Sequence, residues 1–166
     1  ISSAPADTTA ALVLDGLARV DGIELGIAGA LTDKWQVFAG YSYLQSEIVR
    51  TRNLAELGRE LPGTPHNNFN LWTSYAVTPD LTIGGGVRHT GGLHKGVDGA
   101  VGTPAYTDSW TVVDAMASYA FNEHLTLRLN AYNLTDKQYV ASINKSGYRY
   151  APGTPRTCLL SADFRF

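Results

Sequence analysis

Apolar and polar residues alternate with a period of two along most of this chain, which predicts strands with two unlike faces. From Gly22 to Leu31, Ile23, Leu25, Ile27 and Leu31 share one face, and Gly22, Glu24, Gly26, Ala28 and Ala30 share the other. From Trp35 to Tyr43 the odd positions carry Trp35, Val37, Ala39, Tyr41 and Tyr43, against Gln36, Phe38, Gly40 and Ser42. Asn67 to Val77 sets Phe69, Leu71, Tyr75 and Val77 against Asn68, Asn70, Trp72 and Ser74. Leu81 to Gly91 sets Leu81, Ile83 and Val87 against Thr82, Gly84, Gly86 and Arg88. The pattern returns from Ser109 to Phe121, from Leu125 to Asn133 and from Arg156 to Phe166, giving roughly seven strands. Glu24, Arg88, Asp114, Arg128, Asp163 and Arg165 all lie opposite the aromatic face.

The connections alternate as well. Thr32-Asp33-Lys34, Thr78-Pro79-Asp80 and Asn122-Glu123 are short and built from turn-forming residues. Those between them, about Glu47 to His66, Gly92 to Asp108 and Leu134 to Pro155, are long and rich in Gly, Pro, Arg, Lys and Tyr. Short turns at one end and long loops at the other are how outer-membrane β-barrels are built. A soluble β-sandwich also alternates, but it explains neither this difference in connection length nor the charges on the inner face. The fold class expected is therefore all-β, an up-and-down antiparallel transmembrane barrel segment. Trp35, Tyr41, Tyr43, Tyr75, Tyr119 and Phe121 are the expected girdle aromatics at the bilayer boundary.

Composition narrows the partners. A net charge of -2 and a pI of about 6.1 give no basic field for nucleic-acid phosphates. No run of about 18 apolar residues is present, which excludes a membrane-spanning helix but not a spanning strand of about 9–11 residues. A single Cys158 rules out an intrachain disulfide framework. No Cys/His spacing suggests zinc, and no nucleophile elbow or acid/base pair among Asp7, Asp15, Asp21 and Glu24 suggests an enzyme. The Gly84-Gly85-Gly86 run has no helix after it, so close packing beneath a plug or loop is expected rather than phosphate binding. The start at Ile1 lacks a Met, a basic stretch and an apolar signal core, as expected of a mature small protein or a piece of a longer one.

Several stretches resemble the TonB-dependent siderophore receptors of Gram-negative outer membranes, and in particular their catecholate-type branch. They include Leu31-Thr32-Asp33-Lys34-Trp35, Leu61-Pro62-Gly63-Thr64-Pro65-His66 and Leu71-Trp72-Thr73-Ser74-Tyr75. The most specific run is Asn133-Leu134-Thr135-Asp136-Lys137 with Tyr139, followed by Pro152-Gly153-Thr154-Pro155-Arg156 and the terminal Phe166. The resemblance implies that residues 1–166 are the last third of a barrel of about 22 strands. It also implies that the plug domain and the TonB box are outside this chain. Seven strands is an odd number, and an open sheet leaves unsatisfied edges in lipid. The sheet is thus expected not to close alone, unless Ala10-Ala11-Leu12-Val13-Leu14 adds an eighth strand.

On that resemblance the ligand is a ferric siderophore, anionic and aromatic, with iron as cargo and no resident metal or cofactor. Guanidinium, ammonium and aromatic groups suit such a ligand, which singles out Arg50, Arg52 and Arg59 in the first long loop, His94, Lys95 and Tyr106 in the second, and Lys145, Tyr148, Arg149 and Tyr150 in the third. The plainer alternative is that these charges meet lipid head groups or solvate the loops. His89 falls on the outward face and reads as an interface residue. Phe164 and Phe166 resemble the terminal signal read by the barrel-assembly machinery. The further partners implied are the TonB complex and outer-membrane lipid; the competing function is a small passive pore or structural barrel.

Overall fold

The structure is a computed structural model and describes residues 16–96 and 102–166. The suggested eighth strand at residues 10–14 lies outside the described residues. Nine strands are present among the described residues: β1 (Leu17–Thr32), β2 (Trp35–Arg50), β3 (Asn67–Ala76), β4 (Leu81–Thr90), β5 (Trp110–Ala120), β6 (Leu125–Tyr132), β7 (Val140–Ile143), β8 (Tyr150–Pro152) and β9 (Thr157–Phe164). Seven of them form one antiparallel sheet in the order β1-β2-β3-β4-β5-β6-β9, and β7 and β8 pair as a separate hairpin. β1 and β9 are its two edges, so the described sheet is an open segment of wall, as expected.

Register joins the alternating faces of neighbouring strands into continuous surfaces. One row across the sheet runs Trp35, Tyr75, Ile83, Ala117, Leu129 and Leu160; the row two residues on runs Val37, Thr73, Gly85, Ala115, Ala131 and Cys158. The opposite face carries Phe38, Trp72, Gly86 and Asp114 in one row, and Gln36, Ser74, Gly84, Met116 and Asn130 in another. Ile23, Leu25, Ile27, Leu160 and Phe164 are each at least 60% exposed, whereas the only buried hydrophobic residues described are Leu93 and Val112. A sandwich would cover that apolar face with a second sheet. This one leaves it bare, as a wall facing lipid does.

The three tight turns share one device. Thr32 Oγ1 accepts from Lys34 N, Thr78 Oγ1 accepts from Asp80 N and Leu81 N, and Asn122 Oδ1 accepts from His124 N and Leu125 N. These side chains stand in for backbone acceptors where the chain reverses. Aromatic residues cluster at this end: Tyr119 stacks edge-on with Phe121 at 4.8 Å, and Phe164 with Phe166 at 5.3 Å.

Two expectations are revised. β1 and β2 have 16 residues each, about 50 Å at the usual rise, and so extend well past the length needed to span a bilayer. Arg50, expected in the first loop, therefore ends β2 opposite Leu17, next to a register shift. Residues 134–155, expected to be all loop, contain the β7–β8 hairpin. The glycine run packs closely, as expected, with Gly84 and Gly86 against the Trp72 ring of the adjacent strand.

A Cβ at Gly86 would sit 2.6 Å from both Leu71 O and the Trp72 ring, while one at Gly29 meets nothing within 4 Å. Gly86→Val in the full-length protein should cost about 1–3 kcal/mol through overpacking, and Gly29→Val should be near neutral. Denaturant midpoints of the folded, heat-modifiable gel species measure both.

Candidate functional site

The long-loop end is held together by backbone before any side chain contributes. After β2 the chain folds back on itself, with Gly58 N donating to Ile48 O and Ile48 N to Arg59 O, a reversal that needs the positive φ of 72° at Gly58. Leu61 N then donates to the half-shielded Ser46 hydroxyl at 3.0 Å. Gly63, at φ 73°, donates to His94 O and so ties the first loop to the second. In the second loop Lys95 N donates to Ala105 O, and Lys95 Nζ to the Thr103 carbonyl and hydroxyl. The third loop joins through Gly96 N donating to Lys145 O at 2.7 Å.

These ties border an open cavity of about 760 Å³ whose wall includes Glu56, Arg59, Glu60, His94, Lys95 and Lys145. Of the residues singled out from the sequence, the fold brings Arg59, His94, Lys95 and Lys145 to this cavity. It does not bring the rest. Arg50 and Arg52 lie outside the lining, and Tyr106 packs against His94 from beside it, with ring centroids 5.8 Å apart. Tyr148 and Arg149, in the turn of the β7–β8 hairpin, and Tyr150, at the start of β8, are exposed and outside the lining. His89 faces outward as expected, with Nδ1 2.8 Å from Thr111 Oγ1.

Acidic residues that sequence reasoning passed over organise the cavity. Glu60 Oε1 lies 3.1 Å from His66 Nε2 and Glu60 Oε2 lies 3.2 Å from His94 Nε2, with Oε2 buried and making no hydrogen bond among the described residues. The two imidazoles are the middle of a row of rings from Tyr43 through His66 and His94 to Tyr106. Glu56 Oε1 pairs with Lys145 Nζ at 2.8 Å across 89 positions of sequence. Alternating charges at Glu56, Arg59 and Glu60 were the available signal, but it does not say which partner each finds. Among the described residues no group of His, Cys, Asp and Glu is arranged to hold a metal ion. The lining thus offers three cations against two carboxylates, a surface suited to an anion.

The Asn133 run proves to be a clasp. Asn133 is 1% exposed at φ 50°, a conformation Asn tolerates better than most residues. Its Nδ2 donates to Lys137 O and Thr154 O, and its Oδ1 accepts from Lys137 N, so one side chain closes both ends of the third loop. Its own backbone N donates to Asp114 Oδ1 at 2.8 Å, and Asp114 is paired on its other oxygen with Arg88 Nε at 3.0 Å. Asp136, also at positive φ, accepts from Arg156 N. Tyr139 stacks on Trp110 at 4.2 Å and passes over Gly153 too closely for any Cβ there.

Comparison with known proteins adds the following. The family described as TonB dependent receptor-like, beta-barrel matches residues 1–134. The chain is 49% identical to the catecholate siderophore receptor Fiu of Escherichia coli K12, over 91% of its own length and 20% of that receptor. It is 34% identical to the probable TonB-dependent siderophore receptor PiuA of Acinetobacter baumannii, over 91% of its length and 21% of that protein. Among solved structures it is similar to the closed form of Fiu with a TM-score of 0.84, covering 91% of this chain and 21% of that one. The open form gives 0.79. The chain spans about a fifth of the length of the curated relatives it matches.

Asn133→Ala should cost about 2–4 kcal/mol, from three side-chain hydrogen bonds lost at a buried site. Thermal unfolding of the full-length receptor measures the loss, and faster proteolysis between Leu134 and Pro155 localises it.

Proposed function

We propose, on the premise that this chain belongs to the TonB-dependent receptor β-barrel family, that it forms part of the barrel wall and one side of the ligand mouth in a receptor importing a ferric siderophore across the Gram-negative outer membrane. Catecholate complexes are the proposed class. The apolar rows from Trp35 to Leu160 face lipid, and the tight turns face the periplasm. The observation that carries the reading is the junction of three outer loops around Arg59, Lys95 and Lys145. A ferric catecholate presents negative charge and ring edges together, and guanidinium and ammonium groups are the ones that attract such anions.

In this reading the loops capture the ligand, and release follows when a plug domain, outside these residues, is displaced by TonB. Arg88 and Asp114 hold the upper inner wall while Asn133 fixes the third loop to it. The mouth is thereby mounted on rigid strands. Phe164 and Phe166, paired edge to face, are the proposed contact for the barrel-assembly machinery. Phe166→Ala should then lower the amount of heat-modifiable receptor in the outer membrane, without speeding unfolding of the receptor that does assemble.

A strain lacking the full-length gene, grown under iron limitation and fed individual siderophores, tests the function. Loss of growth on a catecholate, restored by the gene, is expected; unchanged growth on every siderophore overturns the reading. Arg59→Ala and Lys95→Ala should each raise the Kd for that ferric complex about tenfold, the loss of one charge-assisted contact, as read by quenching of intrinsic fluorescence.

A further inference from the structure

The three cations at the cavity differ in what engages them. Lys95 Nζ is held by Thr103, a neutral partner, and the Arg59 side chain makes no hydrogen bond or ion pair with the described residues. Lys145 is bound to a carboxylate. Glu56, whose side chain is only 14% exposed, presents Oε1 to Lys145 Nζ at 2.8 Å and Oε2 to the Thr51 hydroxyl at 3.3 Å. A pair sheltered on one side is screened by salt less than a surface pair. It is also the one side-chain ion pair described between the first loop and the third. Elsewhere the third loop rests on the second, through Gly96 N on Lys145 O and through Gly147 lying against Lys95 and Thr103.

A cation already satisfied by a carboxylate gives an incoming anion little. To use Lys145 the ligand must displace Glu56, and the displaced carboxylate then stands in the cavity wall and repels the ligand's charge. A complex of high negative charge can overcome both costs, because Arg59 and Lys95 attract it at the same time. A neutral complex gains nothing from the exchange. Displacement has a mechanical consequence too, since it removes the ion pair that ties the β7–β8 hairpin to the first loop.

We propose that Glu56 is a specificity-determining competitor: its carboxylate holds Lys145 against weakly charged ligands, yields it to strongly anionic ones, and in yielding frees the β7–β8 hairpin from the first loop. This rests on the reading of the cavity as the ligand mouth.

The test uses the full-length receptor as wild type, Glu56→Gln and Lys145→Met, each first shown to be folded by heat-modifiable gel mobility. The probes are the anionic ferric tris-catecholate made from iron(III) and catechol, and a neutral ferric trihydroxamate. Glu56→Gln should bind the anionic probe about tenfold more tightly than wild type and the neutral probe no differently. Lys145→Met should bind the anionic probe more weakly. Both variants should be cut faster by chymotrypsin at Tyr148 and Tyr150 in the absence of either probe, because both lack the tie. Opposite signs in binding with the same sign in cleavage separate competition from a simple loss of structure. Anionic binding by wild type with equal or weaker binding by Glu56→Gln overturns the competitor and leaves the ligand-mouth reading standing. Unchanged cleavage in Glu56→Gln overturns the tie. Failure of wild type to bind the anionic probe overturns the ligand-mouth reading, and the competitor with it.

Discussion

Backbone hydrogen bonding in a medium without water is the constraint from which the rest of this structure follows. In hydrocarbon an unpaired N–H or C=O costs several kcal/mol, so strands that cross lipid must pair along their length with neighbours on both sides. β2 to β6 do so, each lying between two others, and β1 and β9 present the edges where further wall belongs. Once pairing is fixed the side chains have no freedom of face. Register then turns seven separate alternations into one apolar surface and one mixed surface, and it brings Gly84 and Gly86 beneath Trp72.

Beyond the membrane the constraint relaxes and the chain becomes irregular, yet it does not become loose. Backbone bonds between loops are supplemented there by side chains that bond backbone groups. Asn133 serves two carbonyls and one amide, Ser46 serves Leu61 N, and Asp114 serves Asn133 N while pairing with Arg88. Such buried polar networks are costly if any member is missing and rigid if all are present. That rigidity gives the cavity a fixed shape. Within it, the Glu60 carboxylate lies between the His66 and His94 rings, and Glu56 pairs with Lys145.

The likeness to siderophore receptors and the geometry of the mouth bear on different questions. Family membership is carried by stretches spread along the wall and the clasp, and those stretches turn out to be structural: the Asn133 side chain and the Gly153 contact with Tyr139 hold a loop in place. One of them, Leu61 to His66, also borders the cavity through Leu61 and Pro62, while Glu56, Arg59, Lys95 and Lys145 come from outside these stretches. Glu56 and Arg59 line the cavity and take no part in the Asn133 clasp.

By itself the sequence determined which residues share a face, where the chain turns tightly and at which end the long loops lie. Those features are local: period-two alternation repeats along any strand, and Thr32, Thr78 and Asn122 cap their own turns. With the resemblance to siderophore receptors, it also singled out ten loop residues suited to an anionic ligand, Arg59, His94, Lys95 and Lys145 among them. Only the tertiary structure decided that these four line one cavity while Arg50, Arg52, Tyr106, Tyr148, Arg149 and Tyr150 do not. It alone extended β1 and β2 beyond the bilayer, built a hairpin inside the third loop, and joined Glu56 to Lys145. The reason is distance along the chain. A contact between residues 89 apart depends on the register of every strand pair between them and on the path of three loops, and no periodicity in the sequence carries that sum.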